Sequence, residues 1–165
     1  MFREIETKEV LILGCGNVLF GDDAFGPEVA DRLSVPGVLP DHAYAEDCGT
    51  SVRDILFNIT VARKRPRMVI IVDAVTLEGR QPGEVFEMDI SAMPKIKLPD
   101  FSFHQFPTTN MLHEMREQAG IDVRVVACQT AHVPEHVEPG MSAPVIAAVD
   151  KAIVLIRQLV TIAPG

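Results

Sequence analysis

The sequence predicts a three-layer α/β/α domain on a twisted, mostly parallel five-stranded sheet, and three observations predict it. Two short runs, VLILG at 10–14 and MVIIVD at 68–73, are apolar almost throughout, as strands covered on both faces are. Segments with helical spacing alternate with strand-like ones, which implies right-handed crossovers between parallel strands. One further run, EVFEMD at 84–89, alternates polar and apolar residues and follows a GRQPG turn too short for a crossover helix. It is expected as an antiparallel edge strand.

The elements follow in order. Strand 10–14 ends in Gly14 and Gly16, and a helical pattern occupies 24–33. A weaker strand at 43–47 leads to a helix over 51–62, the buried strand 68–73 and the edge strand 84–89. Residues 91–105 carry two prolines and no period, which reads as a long loop before a helix over 107–119. Strand 123–127, a second two-proline loop at 132–142 and a helix over 143–160 complete the chain. Repeats, low-complexity segments and linkers are absent from the sequence, so residues 1–165 read as a single domain.

Composition narrows the function. A formal charge of −8 argues against a nucleic-acid surface and against an anionic membrane surface. No run approaches 18 apolar residues, so no membrane span is expected. Cys15, Cys48 and Cys128 are odd in number and form no CxxC pair, which suits free thiols in a reducing cytoplasm. The charged start MFREIETKEV lacks the apolar core of a signal peptide, and a cytoplasmic location is expected. A monomer is expected as well.

The turn Gly14-Cys15-Gly16 resembles the opening of a dinucleotide fingerprint, but Leu19 stands where the next glycine belongs. Asp22 and Asp23 would also meet a phosphate with like charge, so nucleotide binding is disfavoured. Asp22 fits a helix N-cap. Asp23 has company, because Asp73 ends the strand 68–73 and Asp47 ends the strand 43–47, and ligand crevices of open α/β sheets lie at such strand ends. His104 sits in the 91–105 loop between Phe103 and Phe106. Two carboxylates and one imidazole would suit a borderline divalent ion such as zinc or nickel. A rival pair, His132 and His136, has zinc-protease spacing, but Pro134 between them forbids the helix that pattern needs. A thiol nucleophile at Cys15 or Cys48 with His104 as base is a minor alternative to two small buried side chains.

Five stretches together carry a family resemblance: LGCGNVLFGDDAFG, DCGT at 47–50, IIVDAV at 70–75, FHQF at 103–106 and VPEHVEPGMSAPV at 133–145. Their order and spacing are similar to those of the nickel–iron hydrogenase maturation endopeptidases, most of all the branch serving the deazaflavin-reducing hydrogenases of methanogens. The resemblance implies a metal-dependent endopeptidase that clips a C-terminal extension from the hydrogenase large-subunit precursor after nickel insertion. It implies that Asp23, Asp73 and His104 are catalytic and coordinate metal, and that Asp47, Cys48, Gly49 and Thr50 form a substrate-binding segment. In that segment Cys48 stands where the family has a glycine. Nickel would be supplied by the substrate, with zinc or another divalent ion as the alternative in the resting protein. A non-cleaving assembly chaperone that checks or docks the metal-loaded subunit is the other reading of the same crevice.

Overall fold

A computed structural model describes residues 1–92 and 109–162. The sheet has five strands: β1 (Val10–Cys15), β2 (Ala43–Gly49), β3 (Met68–Val75), β4 (Val85–Met88) and β5 (Asp122–Gln129). Their spatial order is β2-β1-β3-β5-β4, all parallel except β4, which runs antiparallel to β5 on the edge. Every residue of β1 and β3 is buried, which is why both read as apolar runs. The half-exposed pattern of β4 matches its place at the edge.

Among the described residues five helices cover the sheet: α1 (Phe2–Thr7), α2 (Phe25–Leu33), α3 (Val52–Val61), α4 (Thr109–Glu117) and α5 (Ala143–Val160). Side chains of a strand alternate between faces, and the two cores follow that alternation. Val10, Ile12, Ile70 and Val72 pack with Phe25 and Val29 of α2 and with Val145, Val149, Ala152 and Ile156 of α5. Leu11, Leu13, Val69 and Ile71 pack with Ile5 of α1, Val52, Leu56 and Ile59 of α3 and Leu112 and Met115 of α4.

The expected fold is therefore present; the four parallel strands run one to three residues longer than expected, and the edge strand β4 is one residue shorter at each end. Helix α1 was not foreseen. It is only six residues long and has no side-chain cap. Tertiary contacts hold it: Ile5 enters the core, and the terminal amine pairs with Glu4 at 2.8 Å and lies 3.9 Å from Glu46.

Strand β1 lies between β2 and β3, so the crossover from β1 to β2 runs one way across the sheet and the crossover from β2 to β3 runs back the other way. That arrangement opens a crevice beyond the carboxyl ends of β1 and β3.

Candidate active site

Glycines bring the chain close at this edge. A Cβ on Gly14 would overlap the carbonyl of Gly26 and the Ala30 side chain, so α2 can lie directly on the end of β1. Gly16 has φ +140°, a conformation open mainly to glycine, and a Cβ there would strike the carbonyl of Asp23. The chain then folds into a single 3₁₀ turn, Gly21–Ala24, which carries both Asp22 and Asp23 ahead of α2.

Asp23 is fully buried, and its Oδ2 accepts a hydrogen bond from the Asn17 amide at 2.8 Å. Asn17 in turn uses its own Oδ1 to accept from the Leu19 amide at 3.0 Å, which fixes the bend that presents its N–H to Asp23. Asp73 is fully buried in β3, and its Oδ1 accepts from the Ala74 amide at 2.8 Å. By alternation with Val69 and Ile71, the Asp73 side chain points to the face covered by α1, α3 and α4.

Cys15, at the end of β1, reports that the two acids share one region. Its thiol is held well above the ordinary thiol range, first by burial and then by the nearby carboxylates Asp73, Asp47 and Asp23. Such a thiol stays protonated at neutral pH and is no nucleophile. Cys48 is pushed up to about 12 by burial and by Glu46 and Asp47. Both cysteines are the small buried side chains that the sequence favoured over a thiol nucleophile.

The segment Asp47, Cys48, Gly49 and Thr50 adjoins the turn. Gly14 pairs with Asp47 but Cys15 pairs with Gly49, so Cys48 is one extra residue in β2 and forms a bulge. The bulge turns the Cys48 side chain into the core beside Val52 and Leu56 and leaves Asp47 and Thr50 exposed. Asp47 Oδ1 accepts from the Gly49 amide at 2.8 Å, Gly49 has φ +50°, and its carbonyl accepts from the Gly16 amide at 3.0 Å. A groove lined by Thr50, Ser51, Arg53, Asp54, Phe57 and Met111 opens next to it.

His104 lies outside the described residues. Ile90 before the undescribed stretch and Leu112 after it both pack on the face to which Asp73 points. Among the described residues, no three His, Cys, Asp or Glu side chains form a metal-holding group. His132 and His136 are exposed and both face Glu138, at 3.0 and 3.9 Å, in a segment without helix.

Asp22 departs from expectation. No side chain caps α2 or the 3₁₀ turn. The Asp22 carboxylate instead reaches across to the segment after β5, where it binds the amides of Ala131, His132 and Ser142 and the Ser142 hydroxyl. The sequence reading also left out Asn17 and Ser142. Asn17 had a legible signal, an Asx-type bend directly after a Gly-x-Gly turn. Ser142 had only a misleading one, because it stands at the N-cap of α5 without capping it.

Fold and crevice together define a three-layer α/β domain with buried acids at the switch point of its five-stranded sheet. The model of the HycI hydrogenase maturation protease family matches residues 27–159. A protein of Methanocaldococcus jannaschii assigned as a hydrogenase maturation protease is 36% identical over 154 residues, covering 92% of this chain and 96% of that one. The delta subunit of coenzyme F420 hydrogenase from Methanothermobacter thermautotrophicus is 34% identical over 152 residues, covering 90% and 92%. The crystal structure of the [NiFe] hydrogenase maturation protease HycI from Thermococcus kodakarensis superposes with a TM-score of 0.66 at 26% identity, covering 94% of each chain. The chain belongs to the hydrogenase maturation protease family. No described helix is long and apolar enough to cross a membrane.

Proposed function

We propose that this chain is the endopeptidase that removes a C-terminal extension from the large-subunit precursor of a nickel–iron hydrogenase once nickel is in place. Similarity to the delta subunit of coenzyme F420 hydrogenase supports a deazaflavin-reducing hydrogenase as the client. The observation that carries the proposal is the burial of Asp23 and Asp73, from separate elements, within electrostatic reach of one thiol at the switch point.

Nickel is here part of the substrate. Asp23, Asp73 and His104 would face it, and oxygen and imidazole donors suit a borderline divalent ion. An ion so held polarises a carbonyl or activates a water. The chain's own contribution is placement. Each carboxylate is held on one oxygen by a backbone amide, from Asn17 and Ala74, which fixes its direction before substrate arrives. The exposed Asp47 and Thr50, with the backbone at Cys48 and Gly49, would line the path of the substrate chain, and the adjoining groove gives it room.

The test is to incubate purified protein with nickel-loaded and nickel-free precursor and to measure intact masses. A loss of mass confined to the nickel-loaded precursor is expected, and Asp73→Asn and His104→Ala should abolish it. Stable binding with no mass change under any condition would replace the peptidase by a non-cleaving assembly chaperone.

A further inference from the structure

The proposed cleavage makes no use of Asp22, yet both oxygens of its carboxylate are engaged. It is fully buried, and its two oxygens accept four hydrogen bonds. Oδ2 takes the amides of Ala131 and His132 at 2.8 Å each and the Ser142 hydroxyl at 2.9 Å, while Oδ1 takes the Ser142 amide at 2.6 Å. All four donors belong to the segment 131–142.

The backbone repeats the connection. Phe20 and Glu138 form a parallel bridge, in which the Gly21 amide donates to the Glu138 carbonyl and the Glu138 amide donates to the Leu19 carbonyl, both at 2.9 Å. The Asp22 amide donates to the His132 carbonyl at 3.1 Å. Gly21, with φ +53°, allows this approach, since a Cβ there would sit 2.9 Å from that same carbonyl and 2.8 Å from Pro134.

Asp22 and Asp23 are neighbours in one four-residue 3₁₀ turn. Successive side chains in such a turn diverge by about 120°, so one acid faces the 131–142 segment while the other faces the end of β1. Ser142 supplies an independent sign that the contact matters. It occupies the N-cap of α5 with extended backbone, the usual place for a serine to cap, but its hydroxyl goes to Asp22 and the helix goes without a side-chain cap.

We propose that Asp22 is a positioning residue, a latch that ties the turn to the 131–142 segment and so sets the place of the Asp23 carboxylate. The inference rests on Asp23 serving the proposed cleavage. An ionised carboxylate can accept all four donors, whereas an asparagine would set its own amide hydrogens against at least one of them. Asp22→Asn keeps the volume and breaks the latch.

The experiment measures kcat and KM for cleavage of nickel-loaded precursor by the full chain, well below each variant's melting temperature so that the enzyme is folded. Small displacements of a reacting group lower turnover strongly, so Asp22→Asn is expected to lose roughly tenfold or more in kcat. KM should stay within about threefold, because the proposed substrate-binding segment Asp47–Thr50 is untouched. Ser142→Ala should show the same split on a smaller scale, and Ser142→Thr, which keeps a hydroxyl, should restore wild-type kcat. Wild-type kcat in Asp22→Asn, or a change confined to KM, overturns the latch. A KM effect alone would mean that the 131–142 segment serves docking instead. If Asp22→Asn does not fold, the Ser142 pair decides, and equal kcat for Ser142→Ala and wild type overturns the proposal. Asp23→Asn in parallel separates the two levels. If it cleaves normally, Asp23 has no part in the cleavage and the premise of the latch fails; if it is inactive while Asp22→Asn is fully active, only the latch fails.

Discussion

Gly14 of β1 and Gly26 of α2 lie against each other with no room for a side chain on either. A Cβ on Gly14 would overlap the Gly26 carbonyl, and one on Gly26 would overlap the Cys15 carbonyl and come within 2.5 Å of the Val72 carbonyl. All the obstructing carbonyls are backbone of the sheet or helix, so nothing can rotate aside. This contact sets the height of α2 over the sheet, and the turn that carries Asp22 and Asp23 hangs between the two glycines in sequence. Overpacking a tight interior costs about 1–3 kcal/mol, more where backbone must shift. Gly26→Ala is therefore expected to lose about 3 kcal/mol in urea unfolding and to lower cleavage. An unchanged unfolding midpoint would show that α2 does not sit this close.

Asp73 is the acid whose loss should separate stability from activity. It is fully buried at the end of a central strand, in a neighbourhood already negative from Asp23 and Asp47. Asp73→Asn removes one charge from that group and keeps the shape. Cleavage of nickel-loaded precursor should fall by about a hundredfold or more, beyond what loss of a supporting partner costs a metal site. The melting temperature should hold or rise, as is common when a strained functional site is neutralised. A variant that melts much lower would assign Asp73 a structural role.

Cys48 fills space under the bulge, where its thiol donates to the Glu46 carbonyl at 3.5 Å and packs in the core beside Val52. It does not crowd the crevice. Cys48→Gly should lose about 1–2 kcal/mol from lost burial and added chain freedom. Cleavage per folded molecule should stay near wild type. A large change in KM with unchanged stability would place the thiol against substrate.

The thiols also predict a pH dependence. Folded Cys48 and Cys128 are held up to about 12, in each case chiefly by burial, and Cys15 is raised as well. An unfolded thiol ionises near 8.5. Above that pH the unfolded chain has released protons that the folded chain still holds, so the slope of stability with pH is negative. The thiol contribution is complete below about pH 8.5 and is lost as pH rises towards 12, by at most about 1.4 kcal/mol per thiol per unit. Urea midpoints at pH 8, 9 and 10 should fall in that order, and less steeply in Cys48→Ala. Native protein at pH 8 should react slowly with iodoacetamide and take up three equivalents when unfolded.

The sheet was legible because burial on both faces leaves a mark that needs no partner to be read. Val10 to Leu13 and Met68 to Val72 could be little else, and the alternation in β4 announced an edge. Asp73 was legible for the same reason, as a charge placed at the end of a run that otherwise excludes charge. Asp23 could be proposed from its position after a Gly-x-Gly turn. The register of β2 at Cys48 was not legible, since a bulge arises from two strands disagreeing by one residue.

By itself the sequence determined which segments enter the sheet, their order along the chain and the set of acids available at its carboxyl edge. These follow from local patterns of hydrophobicity and from turn chemistry, which act over a few residues. Only the tertiary structure decided that Asp22 is not a cap, that Ser142 gives up its own cap to meet it, and that α1 forms at all. Each of those depends on which groups distant in the chain become neighbours. A carboxylate takes whichever donors lie within hydrogen-bond distance, and for Asp22 two of those donors stand 120 residues away.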